Sequence, residues 1–310
     1  MGKILVIGSS NTDLIATVKS FPAAGETIVG TTFFQTMGGK GANQAVAAHR
    51  LGGDVKFNTC LGRDANGRNA FKYYSKEGLD VSSSLIVDDI PSGTAIILVD
   101  EKGENCIVVN PGANEKLTSE YIYEVEKDIA NADMVVLQME IPYDSVKAVC
   151  DIASKYKKKI ILNVAPARKV EIDLLKKVDV LIVNETEAEV LTEEKIEDIG
   201  EEAIINKLLK KGVQNVILTL GNKGCLFKNG NDLLKIPAFR VNAVDTTAAG
   251  DTFCGALAAE LSREKDWEEI LKFATAASAI CVTRMGAQPS IPMEREIQEF
   301  LKKNDELHIK

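Results

Sequence analysis

The sequence predicts an α/β fold, a doubly wound and mainly parallel sheet sandwiched between helices, with a small antiparallel β-sheet lid beside it. Three observations carry this reading. Short continuous runs of Val, Ile and Leu alternate with segments of helical periodicity, as buried parallel strands alternate with their crossover helices. Polar motifs follow the apolar runs, where an open α/β sheet has its ligand crevice. Two segments, 14–38 and 92–110, break the rhythm with paired apolar runs and turn residues but no helix. The expected division is an α/β catalytic domain over 1–13, 39–91 and 111–310, and a lid over 14–38 and 92–110.

In chain order, the first strand is 4–7, inside "MGKILVIGSS"; its apolar run is too short for a signal peptide and ends at polar "GSSNTD". The first lid pair follows, "LIATVKSFP" and "ETIVGTTFFQ", split by Pro22 and Gly25. "MGGKGANQA" runs into a helix over 42–51. A strand at 56–60 ends at "LGRDANG", which opens a helix over 66–77. The second lid pair, "TAIILVD" and "ENCIVVN", turns at Lys102-Gly103. Helix and strand then alternate: helix 118–131, strand 134–139 with "EIPYD" after it, helix 145–156, strand 160–163 with "APAR", strand 180–183 with "NETEAE" opening a helix at 187–191, helix 201–210, and strands 216–220 and 225–228 around "TLGNKG". "FRVNAV" reads as a further possible strand before helices at 251–262 and 267–283, and a last helix spans 294–301.

Composition excludes several classes. The net charge of −8 argues against nucleic acid and acidic membranes as partners. No stretch has the length and apolarity of a transmembrane helix. Six scattered cysteines without a CxxC pair read as reduced core thiols of a cytoplasmic protein, and no zinc-ligand spacing exists. With only two histidines, acid–base chemistry falls to carboxylates.

The stretch "AVDTTAAGDTFCGA" places Asp251 at a helix start behind the small residues Ala248, Ala249 and Gly250. Exposed N–H groups at such a start suit an anion. A carboxylate there is either an ordinary N-cap or a base that accepts a proton during phosphoryl transfer to a hydroxyl. The polar strand ends on one rim favour the base. "MGGKGANQA" offers either close backbone approach to a ligand, with Lys40 and Asn43 as hydrogen-bond groups, or a hinge. Asn11 and Asp13 suit vicinal hydroxyls or a turn, and Glu140 is a rim carboxylate. Asn184 and Glu187 could serve Mg²⁺ near nucleotide phosphates or simply cap a helix. "TLGNKG" is a tight turn between strands that could contact phosphates through N–H groups and Lys223.

Taken together and in order, "GGKGANQA", "NETEAE", "TLGNKG", "AVDTTAAGDTFCGA" and "GAQPS" resemble the ribokinase branch of the PfkB-type sugar kinase family, from Gly8 to about Pro292. The resemblance implies a ribokinase-like sandwich with a β-sheet lid, often dimeric through the lids. It implies ATP-dependent phosphorylation of D-ribose at its 5-hydroxyl, with Mg²⁺ and with K⁺ as monovalent activator. By motif, Asp251 is then the general base, and Ala248, Ala249 and Gly250 give the backbone anion hole. Asn11, Asp13, Gly39, Lys40, Gly41, Asn43 and Glu140, with Asp251, hold the sugar. Asn184, the turn Thr219, Leu220, Gly221, Asn222, Lys223 and Gly224, and Gly250 and Thr275 flank ATP; Glu187 organises Mg²⁺ through water. Asp245, Thr247, Cys281, Arg284, Gly286 and Ser290 frame the monovalent cation, several through carbonyls, unless Asp245 only caps a turn and pairs with Arg284. A relative acting on deoxyribose, fructose or a nucleoside is the alternative. The intact Asp251 loop argues against a silent sugar-binding protein, and the lack of GxGxxG after the first strand argues against a dehydrogenase.

Overall fold

The computed structural model of the chain describes residues 1–308. Its strands are β1 (Lys3–Ile7), β2 (Asn11–Thr17), β3 (Thr32–Gly38), β4 (Asp54–Asn58), β5 (Cys60–Gly62), β6 (Leu85–Val87), β7 (Gly93–Val99), β8 (Asn105–Asn110), β9 (Met134–Leu137), β10 (Lys159–Asn163), β11 (Val180–Asn184), β12 (Asn215–Thr219), β13 (Cys225–Lys228) and β14 (Leu233–Ile236). Its helices are α1 (Lys40–Arg50), α2 (Ala65–Glu77), α3 (Ser119–Glu124), α4 (Glu126–Asn131), α5 (Tyr143–Lys155), α6 (Ile172–Leu175), α7 (Glu185–Thr192), α8 (Ile196–Ile199), α9 (Glu201–Lys210), α10 (Ala249–Leu261), α11 (Trp267–Cys281) and α12 (Glu294–His308).

The main sheet runs β14-β13-β12-β11-β10-β9-β1-β4, parallel from β4 to β12 and antiparallel at β13 and β14. Alternate strand residues face opposite helical layers, so strands apolar throughout bury both faces. Ile4 and Val6 join the layer of α1, α10 and α11; Leu5 and Ile7 join the layer of α5 and α9. Among the described residues no helix is long and apolar enough to cross a membrane. All six cysteines are free, and five are buried.

One contact in the first layer positions the site. A Cβ on Gly255 would lie 2.4 Å from Ala47 Cβ and 2.7 Å from Ala48 N. Glycine there lets α10 press onto the alanine face of α1. The close approach, one turn beyond Asp251, brings the side chains of Asn43 and Gln44 to the Asp251 carboxylate.

The lid is a separate sheet of order β3-β2-β7-β8. It is mixed, which corrects the expectation of an antiparallel sheet. β2 pairs antiparallel with β3, and β7 with β8, but the pairs join through parallel β2 and β7. Other boundaries also differ. The segment "ETIVG" is irregular up to Thr32, with Val29 exposed. "FRVNAV" forms no strand, whereas 233–236 adds the edge strand β14. The helix expected over 118–131 breaks at Val125 into α3 and α4, and the strand over 56–60 breaks at Thr59.

Candidate active site

Asp251 lies in the first turn of α10 and is 7% exposed. It is not the cap. Ala248 takes that position in the left-handed region, φ 60°, with no side-chain cap bond. The Asp251 oxygens turn away from their own helix end: Oδ2 accepts from Asn43 Nδ2 at 2.9 Å and Oδ1 from Gln44 Nε2 at 3.0 Å. The first N–H groups of a helix have no intrahelical partner. Ala249 N–H is directed at Thr246 O, 3.3 Å away, while a Cβ on Gly250 would meet nothing within 4 Å. The loop before α10 therefore has an open face beside a buried carboxylate.

In the lid itself, Asp13 on β2 is 6% exposed. Burial, then the charges of Glu140 and Asp251, push its carboxyl up to about 7. Lys40, the first residue of α1, is held above its ordinary value chiefly by Asp251 and also by Glu140 and Glu187. Glu140 Oε2 accepts from Ser9 Oγ at 2.6 Å and from Lys40 N at 3.0 Å. Asn11 is oriented by Asn114: Asn114 Nδ2 donates to Asn11 Oδ1 at 2.8 Å, and Asn114 Oδ1 accepts from Ser10 N at 2.9 Å. The Asn11 oxygen is thus occupied, which leaves its N–H₂ as the donor of this amide. The backbone of "MGGKG" packs tightly here. Gly39 has φ 89°, and a Cβ on Gly41 would lie 2.5 Å from the Gly8 carbonyl carbon.

Farther along the rim, Asn184 and Glu187 form a capping box. Glu187 N donates to Asn184 Oδ1 at 2.9 Å, and Asn184 N to Glu187 Oε2 at 2.9 Å. Glu187 is buried, and desolvation raises its pKa. The turn after β12 is a short 3₁₀ segment, Gly221–Lys223, between antiparallel β12 and β13. Leu220 N donates to Gly224 O at 2.8 Å across it, and Lys223 is exposed. Thr275 is buried, its hydroxyl 3.8 Å from Cys225 Sγ.

Asp245 ties two irregular loops together. Its Oδ1 accepts from Thr247 N at 2.8 Å and Thr247 Oγ1 at 2.6 Å; its Oδ2 accepts from Gly286 N at 2.8 Å. Cys281 Sγ lies 3.0 Å from Ser290 Oγ. Arg284 pairs with Glu296, so the alternative of an Asp245–Arg284 pair does not hold. Among the described residues no group of three His, Cys, Asp or Glu could hold a metal ion.

Sequence reasoning passed over Gln44, Asn114, Gln138 and Asn163, which fix the polar groups above. Gln44 stands inside "GGKGANQA", where the sequence alone assigns roles only to the glycines, Lys40 and Asn43. A model of the pfkB family of carbohydrate kinases matches residues 1–294. The chain belongs to this family. It is 40% identical to the ribokinase of Haemophilus influenzae, over 96% of this chain and 98% of that one. It is 36% identical to the deoxyribokinase of Salmonella typhi, over 97% and 99%. The structure of Arabidopsis thaliana ribokinase complexed with ribose and ATP superposes with a TM-score of 0.88 at 33% identity, covering 97% of this chain and 99% of that one. The protein is a ribokinase-like kinase of the ATP-using carbohydrate kinases.

Proposed function

We propose that this kinase transfers the γ-phosphoryl group of ATP to the 5-hydroxyl of D-ribose, giving ribose 5-phosphate and ADP. The observation that carries the reading is a buried carboxylate, Asp251, between an open helix-start loop and a polyol-binding set under the lid. Lys40 stands among Asp251, Glu140 and Glu187, and Asp13 lies close to Glu140 and Asp251. One cation among three carboxylates suits a neutral sugar and disfavours a sugar phosphate. Asn11, Asp13, Lys40, Asn43 and Glu140, with the backbone at Gly39 and Gly41, hold the ring hydroxyls. Asp251 takes the proton as the hydroxyl oxygen bonds to phosphorus and the bond to ADP breaks. The loop Ala248, Ala249 and Gly250 receives the charge of the moving group.

ATP lies along Asn184, the turn 219–224, Gly250 and Thr275. Mg²⁺, when bound, supplies charge neutralisation at the phosphates. Glu187 fits a water-mediated hold on it, since its two oxygens face only the Asn184 amide groups of its cap. The segments 14–38 and 92–110 close over the sugar and exclude water. The expected place of action is the cytoplasm. The test is ADP release over D-ribose, 2-deoxy-D-ribose, D-fructose and nucleosides. D-ribose is expected to give the highest kcat/KM. A preference for deoxyribose, which the Salmonella typhi relative makes the second reading, would replace this one. Nucleosides are expected to fail, because Phe34 is taken up in the lid cluster of Ile15, Ala95 and Ile97.

The Asp245 loops, with Thr247, Cys281, Arg284, Gly286 and Ser290, fit K⁺ as a structural activator that fixes the loop at 248–250. Rates in K⁺ are expected to exceed those in Na⁺ at constant ionic strength, and Asp245→Ala to erase the difference. Equal rates in both salts would remove the site.

The lid also offers a dimer surface. Paired residues share a sheet face, so Phe33, Ile96 and Val108 lie together on the side opposite Asp13. They are 67%, 52% and 61% exposed, a solvent-facing apolar patch with open sheet edges beside it. Light scattering at micromolar concentration is expected to show a homodimer, and Val108→Lys a monomer.

A further inference from the structure

Gln44 is fully buried in α1. Its amide is the centre of a hydrogen-bond chain from the sheet to the first turn of α10. Gln138, just after β9, donates from Nε2 to Gln44 Oε1 at 2.8 Å. Gln44 Nε2 donates to Asn163 Oδ1, at the end of β10, at 3.1 Å and to Asp251 Oδ1 at 3.0 Å. Asn163 Nδ2 donates to the Ile182 carbonyl, in β11, at 3.2 Å.

The polarity of this chain is forced. The Ile182 carbonyl and an ionised Asp251 carboxylate only accept. Asn163 must therefore present its oxygen to Gln44, and Gln44 must present its nitrogen to both acceptors. Its oxygen is then left facing Gln138. Both amide hydrogens of Gln44 are used, and a flip would break each of these bonds. The other Asp251 oxygen, Oδ2, is held by Asn43, whose own Oδ1 has no hydrogen-bond partner. One oxygen of Asp251 is thus anchored to the core and the other meets an amide that still has a free acceptor.

We propose that Gln44 is a positioning residue for the transfer, fixing Asp251 Oδ1 to the sheet so that Oδ2 is presented to the attacking hydroxyl. The inference rests on the reading of Asp251 as the base. Misplacing a reacting group by about 1 Å can cost on the order of 10²-fold in rate.

The test is Gln44→Met, which keeps length and removes the amide. The expected result is a fall in kcat of about 10–100-fold, with KM for D-ribose and for ATP within about threefold, since substrate binding is untouched. In an Asp251→Asn background the same change is expected to cost little more, because two changes acting on one group overlap instead of multiplying. Undiminished kcat in Gln44→Met, a rise in KM matching the fall in kcat, or losses that multiply with Asp251→Asn would each overturn the proposal. If Gln44→Met does not fold, Gln138→Met decides: it removes the carboxamide whose N–H holds Gln44 Oε1 and whose own oxygen has no partner. A lower kcat at unchanged KM supports the role, and unchanged kcat overturns it. The two readings fail separately. An active Asp251→Asn variant removes the base itself, whereas an inactive one beside a fully active Gln44→Met removes only the positioning role.

Discussion

Replacing Asp251 with Asn is expected to lower kcat by about 10²–10⁴-fold while D-ribose still binds. The substitution keeps size and shape at a site with almost no exposure. Its oxygen can still accept from Gln44. Its new N–H can be received by Asn43 after an amide flip, because Asn43 Oδ1 is at present unpartnered. The fold therefore loses little, whereas the transfer loses the group that takes the hydroxyl proton. Among the described side chains no histidine replaces it: His49 lies near the far end of α1, beside Gly78. Initial rates by ADP release and ribose binding by calorimetry measure the two halves. Retention of more than about a tenth of kcat, against the loss expected for a general base, would make Asp251 a structural residue and shift the search to Asp13 or Glu140.

The sheet was legible because its signal is local. Three or four consecutive apolar residues bounded by polar motifs mark β1, β9, β10, β11 and β12. The rim motifs were legible for the same reason, since each follows its strand directly. The lid was half legible. Its two hairpin-like segments show in the turn residues, but nothing local says that β2 joins β7 in parallel. β14 was missed because "LLKI" is short and carries a lysine, so it reads as loop. Asp251 could be placed at a helix start, yet whether it capped that helix depended on Ala248 adopting φ 60°. The amide chain through Gln44 is the least legible feature. Its partners Gln138, Asn163 and Asp251 lie 94, 119 and 207 residues away along the chain, and Asp251 reaches it where Gly255 lets two helices touch.

Asp13→Asn is expected to make the protein more stable and worse at binding sugar, with both effects set by pH. The Asp13 carboxyl is raised from 3.8 to about 7, by burial first and by Glu140 and Asp251 next. The unfolded chain releases this proton near pH 4, and the folded chain keeps it to about 7. Between these values the folded state binds more protons, so stability falls as pH rises through the window and levels off above it. A difference of about three units corresponds to about 4 kcal/mol at full ionisation. At pH 8 the Asn variant is therefore expected to exceed the parent by up to about 4 kcal/mol, and at pH 4 the two are expected to coincide. Sugar binding runs the other way. A carboxylate accepts from two hydroxyls at once, and a hydrogen bond to a charged group contributes about 1.5–3 kcal/mol, so the variant should bind D-ribose at least about tenfold more weakly. In the parent, affinity for ribose should weaken as pH falls below about 7, because proton and sugar compete for the same oxygens. Urea denaturation at pH 4 and pH 8, with ribose calorimetry from pH 6 to pH 8, measures both. A variant no more stable at pH 8, together with ribose affinity flat across that range, would show that Asp13 is already ionised in the free enzyme. The cost of burying Asp13 beside Glu140 and Asp251 would then have to be carried by another group of the cluster.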